Sequence, residues 1–168
     1  MPPKILILFS TTYPYQATHE NAFLQHEITW LCKRFDQIVL IPRFKTADRF
    51  PLPANVVVED SFANIFSRSV TKSELVSLTL SSGVLRQEIS GVWNSPSRVL
   101  ALKQLVWSLN NARRVRGWLE KYAIDKQIDF ANTLFYTYWL GDATLGISLL
   151  KRKVPQIKLI SRAHRVDL

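Results

Sequence analysis

The stretch from Lys4 to Phe35 decides the fold, and it reads KILILFSTTYPYQATHENAFLQHEITWLCKRF. It begins with a continuous apolar run, Ile5 to Phe9, which is rich in β-forming residues and has the length of a buried strand. A polar loop follows, and then a stripe at helical spacing predicts an amphipathic helix with Thr18 as its N-cap. The residues of this stripe are Phe23, Leu24, Glu27, Ile28, Leu31 and Phe35. A buried strand leading into a helix is typical of open α/β sheets, which bind ligands at the carboxyl ends of their strands.

The same alternation of strands and helices continues along the rest of the chain. Four further β-rich runs predict strands, at residues 36–42, 55–59, 133–136 and 157–161. Two periodic stretches predict longer helices, at residues 97–123 and 142–153, and the less regular residues 60–96 predict one or two short ones. The fold class expected from this order is α/β, a Rossmann-like three-layer domain with a mainly parallel sheet.

Composition is that of a soluble globular domain. The 168 residues suffice for one domain with a substantial core, and 47% of them are hydrophobic against 21% charged. The apolar runs are too short to span a bilayer, and the N-terminus lacks the order of a signal peptide. The single cysteine, Cys32, excludes an internal disulfide and is expected to be a packed thiol in a reducing compartment. The expected location is therefore cytoplasmic.

The net charge of +9 points to an anionic partner without choosing one. The basic residues are scattered and match no RNA-binding signature, so no nucleic-acid partner is expected. On the predicted helix 97–123, two tryptophans and three cations share one side. These residues are Lys103, Trp107, Arg114, Trp118 and Lys121. Two interpretations remain open: a membrane-surface patch, or tryptophans that pack against the 60–96 helices beside solvated cations.

Several well-known site motifs are absent from the sequence. It contains no Walker A motif, no GxGxxG and no GxSxG nucleophile elbow. His19 and His26 have no third ligand nearby, so no metal site is expected. What remains is a set of three polar-aromatic loops, at residues 13–20, 138–142 and 162–164, which would converge at one edge of a parallel sheet. Their aromatic rings, carboxylates, histidines and arginine suit a sugar ring or a phosphate.

Three segments carry a resemblance to a known enzyme family. They are Tyr13-Pro14-Tyr15 with Glu20 and 23–27 (FLQHE), then 135–140 (FYTYWL), then 161–168 (SRAHRVDL). In this order and spacing the chain resembles the N-terminal domain of a family-four bacterial glycosyltransferase, of the retaining class with two-domain GT-B architecture. The resemblance is to members that build exopolysaccharide or lipopolysaccharide. It implies an acceptor-holding domain, a nucleotide-sugar bound mainly by a second domain, and neither a metal nor another cofactor.

The resemblance also implies roles for individual residues. His164 matches the family's histidine after the last strand of this domain, which reaches the donor sugar, and it would stabilise developing charge as the catalytic residue. The expected substrate-binding residues are Thr18, His19, Glu20, Tyr138, Trp139 and Arg162. Several of these roles have an alternative: for His164 a histidine at an exposed strand end, and for Glu20 a surface carboxylate favoured by the helix dipole. For Arg162 the alternative is an ion pair with Asp167, and for Trp139 a position in the core. Residues 16–19 contain no glycine, unlike the matching loop of many family members, which argues against close backbone contact with a diphosphate there.

We therefore expect residues 1–168 to form the acceptor-side domain, with the nucleotide-sugar-binding domain outside this chain and no sugar transfer by this chain alone. The expected partners are a nucleotide-sugar and a glycan or lipid-linked acceptor, and the basic charge would suit peripheral docking on the anionic inner face of the cell membrane. Two alternatives stay open: a stand-alone flavodoxin-like module that binds a phosphorylated ligand, and a basic membrane-surface adaptor.

Overall fold

In the part of the chain that the structure describes, five parallel strands form a single sheet. The computed structural model describes residues 4–15, 20–46, 48–67 and 97–163. The strands are β1 (Ile5–Ser10), β2 (Gln37–Pro42), β3 (Val56–Val58), β4 (Thr133–Thr137) and β5 (Lys158–Ser161). They lie in the order β3-β2-β1-β4-β5, so the first strand is central and the chain order reverses between β1 and β4. This is the predicted Rossmann-like arrangement, and the fold prediction is confirmed.

Helices cover both faces of the sheet. They are α1 (Glu20–Leu31), the short α2 (Asn64–Ser67) after a 3-10 turn at Asp60–Ala63, α3 (Arg98–Asp125) and α4 (Asp142–Lys151). The two longer predicted helices agree with α3 and α4 within a few residues. The first helix ends at Leu31, four residues before the predicted end, because the backbone turns at 32–34. The predicted cap Thr18 and most of the 60–96 region, from 68 on, lie outside the described residues.

Successive side chains along each strand point to opposite faces of the sheet, so the core forms two layers. Leu6 and Leu8 of β1 face α1, whereas Ile7 and Phe9 face the opposite layer, where α3 and α4 pack. The α1 layer also holds Leu24, Ile28, Ile38, Leu40, Tyr136 and Tyr138. The opposite layer also holds Val39, Ile41, Phe62, Val115, Leu119, Phe135 and Ile147. Because successive side chains point to opposite faces of the sheet and both faces are buried, the run Ile5–Phe9 of β1 is apolar without interruption.

The buried side of α1 differs from the predicted stripe. Leu24 and Ile28 are buried as expected, but Phe23 is 64% exposed, so its placement in the core was wrong. The first turn instead buries the polar residues Glu20 and Asn21. Polar side chains at the start of a buried helix need hydrogen-bond partners, and Glu20 finds them in the loop after β1. The single cysteine, Cys32, packs against this layer as a partly buried thiol whose pKa is raised by burial.

The two tryptophans of α3 have different environments. Trp118 stacks on Tyr122 with ring centroids 4.8 Å apart and contacts Phe62 edge to face at 5.0 Å. Its indole N–H donates to Ser61 Oγ at 3.1 Å. Trp107 is 53% exposed. Packing against residues of the 60–96 region therefore accounts for Trp118 but not for the exposed Trp107. Within the described ranges, no helix combines the length and the apolar character that crossing a membrane requires.

Candidate functional site

A pocket lies where the chain order of the sheet reverses. Its walls come from the end of β1 (Ser10, Thr11), from Arg43 directly after β2, from Trp139 after β4 and from the start of α4 at Asp142. Open α/β sheets bind ligands at this topological switch point. The pocket volume is about 60 Å³, whereas a single water needs roughly 10–15 Å³. The space accommodates several waters or one edge of a sugar ring.

Asp142 provides a buried carboxylate in this pocket. The side chain is 8% exposed, and its Oδ2 accepts a hydrogen bond from Asn111 Nδ2 at 2.9 Å. The same oxygen pairs with an Arg43 guanidinium nitrogen at 3.2 Å. Burial raises the pKa of the Asp142 carboxyl, although the hydrogen bond from Asn111 and the charge of Arg43 both act to lower it. Asp142 also lies in the first turn of α4, where the helix dipole favours a negative charge.

Arg43 pairs with Asp142 from the opposite wall. Its guanidinium carbon lies 4.2 Å from the ring centre of Phe66, 5.6 Å from that of Phe44 and 5.8 Å from that of Trp107. Its Nε is buried, and among the described residues this nitrogen has no hydrogen-bond partner. An unpaired buried donor costs roughly 1–3 kcal/mol. A ligand oxygen that reached this nitrogen would remove that cost.

Glu20 holds the loop after β1 in place. Oε1 accepts from the backbone N–H of Thr11 at 2.9 Å and from the indole N–H of Trp139 at 2.8 Å. Oε2 accepts from the backbone N–H groups of Thr12 at 2.8 Å and Tyr13 at 3.2 Å. With the side chain only 4% exposed, the protein itself occupies most of this carboxylate's acceptor positions. Glu20 therefore positions Trp139 at the pocket wall, and it is not the surface carboxylate of the alternative interpretation.

The structure separates the predicted site residues into three groups. Glu20 and Trp139 are in direct contact, and Trp139 lines the pocket. Tyr138 and Arg162 lie together on the α1 side of the sheet. Thr18, His19 and the proposed catalytic His164 lie outside the described residues.

Tyr138 and Arg162 belong to a contact network with α1. Tyr138 is 1% exposed and does not line the pocket. The Arg162 guanidinium lies 5.4 Å from the Tyr138 ring centre and pairs with Glu27 at 3.0 Å. Glu27 also accepts a hydrogen bond from the Tyr136 hydroxyl at 2.8 Å. Arg162 thus has an ionic partner on α1. The suggested partner Asp167 lies outside the described residues.

Sequence reasoning missed two residues of this site. Arg43 is absent from the predicted site although it directly follows β2, and the rule that ligands bind at the carboxyl ends of strands could have selected it as well. Asn111 lies in the middle of α3, and no sequence pattern marks it as a partner of Asp142.

Among the described residues, no group of histidine, cysteine and acidic side chains is arranged to hold a metal ion.

Comparisons with protein-family models, with curated proteins and with solved structures give no match for this chain. The family resemblance therefore rests on the three sequence segments alone.

Proposed function

We propose that this chain is the acceptor-binding half of a glycosyltransferase that moves a sugar from a nucleotide-sugar to a growing polysaccharide or lipid-linked glycan. The observation that supports it best is the pocket at the switch point, which Trp139 lines together with the Arg43–Asp142 pair. Aromatic faces with a few fixed polar groups suit a sugar ring, because its C–H face is apolar and its hydroxyls both donate and accept hydrogen bonds.

Charge favours a sugar hydroxyl over a free phosphate in this pocket. The positive charge of Arg43 is neutralised by Asp142 at 3.2 Å, and the Asp142 carboxylate would repel an anion placed beside it. A neutral hydroxyl meets no such repulsion, since it donates to the carboxylate and accepts from the guanidinium. Arg43 and Asp142 would then bind adjacent hydroxyls of one ring.

The remaining parts of the proposal come from the family resemblance. In it, a second domain binds the nucleotide-sugar, His164 contacts the donor sugar, and transfer retains the anomeric configuration without a metal or another cofactor. The protein acts in the cytoplasm, on the inner face of the cell membrane. Nucleic acid is not among the proposed partners.

One observation favours the alternative of a binding module for a phosphorylated ligand. The buried Nε of Arg43, unpaired within the described part of the chain, is a donor that a phosphate oxygen would accept from. The two functions differ in what the pocket binds, so a direct binding experiment separates them.

The test is a titration of the isotopically labelled protein with methyl glycosides, with a nucleotide-sugar and with inorganic phosphate, followed by the NMR signal of the Trp139 indole N–H. We expect saturable shifts with at least one glycoside. Asp142→Asn should weaken this binding by roughly tenfold or more, because it removes a charged hydrogen-bond acceptor. The exposed Asp36→Asn serves as the matched control and should bind like the wild type. Shifts with phosphate alone would support the binding module, and equal binding by both variants would exclude Asp142 as a sugar ligand.

A further inference from the structure

An apolar and basic surface surrounds the exposed tryptophan of α3. We call it the Trp107 surface and define it by Phe44, Val99, Leu100, Lys103 and Trp107. Val99 is 70% exposed, Leu100 57%, Trp107 53% and Phe44 50%. Leu100, Lys103 and Trp107 are three, four or seven positions apart and Val99 lies four positions before Lys103, so the four α3 residues share one side of the helix. Phe44 joins them because the Arg43 guanidinium lies within 6 Å of both the Phe44 and the Trp107 rings.

This surface exists because α3 is longer than the sheet it covers. Its 28 residues extend over about 42 Å, whereas the six residues of β1 extend over about 20 Å. Buried residues of α3 begin only at Leu109. The first turns therefore project past the sheet, and the contact between Arg43 and Trp107 places this projection at the carboxyl edge, beside the pocket.

The charges of α3 are unusual for the start of a helix. No acidic residue occurs between 98 and 119, and this segment carries five cations. Its first turn contains Arg98 and lacks acidic residues. The helix dipole makes a cation in the first turn unfavourable by roughly 0.3–1 kcal/mol, and Lys103 follows in the second turn. A cationic helix start next to exposed apolar side chains is the arrangement that an anionic, partly apolar partner would stabilise.

We infer that the Trp107 surface docks the protein on an anionic phospholipid bilayer. Trp107 and Phe44 enter the headgroup region, where amphipathic aromatic rings are preferred, while Val99 and Leu100 contact the acyl boundary. Lys103 meets lipid phosphates, and the net charge of +9 adds a general attraction to an anionic surface. Because Arg43 borders both features, docking would turn the pocket toward the lipid. The inference depends on this surface alone and does not require sugar transfer.

Vesicle flotation of the purified chain tests the inference. We expect the protein to float with vesicles of equal parts phosphatidylglycerol and phosphatidylcholine, to stay unbound with phosphatidylcholine alone, and to dissociate as salt is raised. The double variant Leu100→Ala with Trp107→Ala should reduce binding by about tenfold or more, since it removes the apolar contact. Lys103→Glu should reduce binding to the anionic vesicles by about fivefold or more.

The matched control is Trp30→Ala. Trp30 on α1 is 69% exposed and has Lys33 4.4 Å from its ring centre, so it presents the same chemistry at a different place. This variant should float like the wild type. Equal losses in the Trp30 and Trp107 variants, equal binding to neutral vesicles, or no flotation of the wild type would overturn the inference. A wild-type dimer that the double variant abolishes would instead identify the surface as a contact between two copies, and would overturn it as well.

Discussion

At the residue scale, the most informative side chain is Glu20. An acidic residue at the start of a helix is ordinarily solvated and interacts with the helix dipole. Here the carboxylate is enclosed, and it accepts hydrogen bonds from three successive backbone N–H groups and from Trp139. One side chain thus connects the end of β1, the start of α1 and the loop after β4. Its role is to position the pocket wall.

Replacing Glu20 should destabilise the fold and loosen the pocket together. Glu20→Ala leaves buried donors without partners, and each such group costs roughly 1–3 kcal/mol, so we expect a loss of about 2–4 kcal/mol in the free energy of unfolding. Glu20→Gln should lose less, because one amide oxygen still accepts. Urea unfolding measures both variants. Gln25→Ala, at an exposed position of the same helix, is the control and should change stability by less than about 0.5 kcal/mol. A Glu20→Ala protein as stable as this control would refute the positioning role.

At the element scale, the contact between α3 and α4 determines where the pocket carboxylate lies. Gly146 of α4 sits directly on α3: a Cβ at this position would lie 2.6 Å from Val115 Cβ and 2.7 Å from the carbonyl oxygen of Ala112. The absence of a side chain lets the two helices approach closely. The same approach brings the start of α4 beside Asn111, which allows the hydrogen bond between Asn111 and Asp142.

Two glycine substitutions in these helices should have opposite effects. Gly146→Ala forces the helices apart and should lower the free energy of unfolding by about 1–3 kcal/mol. Gly117→Ala, on the exposed side of α3 with nothing within 4 Å of the new Cβ, should raise it by about 0.5–1 kcal/mol through helix propensity. Thermal unfolding of both variants checks the prediction. If both substitutions stabilise, the close approach at Gly146 is not a constraint on packing.

At the scale of the whole molecule, one edge of the sheet carries both proposed activities. The pocket lies between the carboxyl ends of β1, β2 and β4, and the Trp107 surface projects from α3 past the same edge. The opposite edge consists of the strand starts. A lipid-linked acceptor that lay in the membrane would therefore reach the pocket without a change in the orientation of the domain.

The sheet order also predicts how stability is distributed. β1 is central and its inner residues Ile7 and Leu8 are fully buried, whereas Val57 of β3 and Ile160 of β5 are about half exposed on edge strands. Native-state hydrogen exchange should therefore be slowest for the β1 amides, and faster by at least about tenfold for the hydrogen-bonded amides of β3 and β5. NMR measurement of individual amides decides this. Edge amides as protected as those of β1 would mean that the sheet opens only in a single global step.

Much of the fold was predictable because its signals are local. The buried run at Ile5–Phe9 and the helical spacing around Ala112, Val115 and Leu119 act over neighbouring residues, and the structure confirms both elements. Phe23 was placed wrongly because the predicted stripe was too wide: this residue lies about 100° around α1 from the buried Leu24, on the exposed side of the helix. The candidate site was predictable only in outline. The strand-end rule found Trp139, but it was not applied to Arg43, and nothing local marks Asn111.

The sequence by itself determined the strands, the helices and hence the α/β class, since periodicities of two and 3.6 residues depend only on which face of an element is buried. Tertiary structure alone decided that Glu20 contacts Trp139, 119 residues away along the chain, and that Arg43 meets Asp142. It also decided that Trp118 is packed while Trp107, on a similar side of the same helix, remains exposed. These outcomes depend on how the loops and helices pack against the sheet and on how far α3 extends past it. No single element's sequence contains that information.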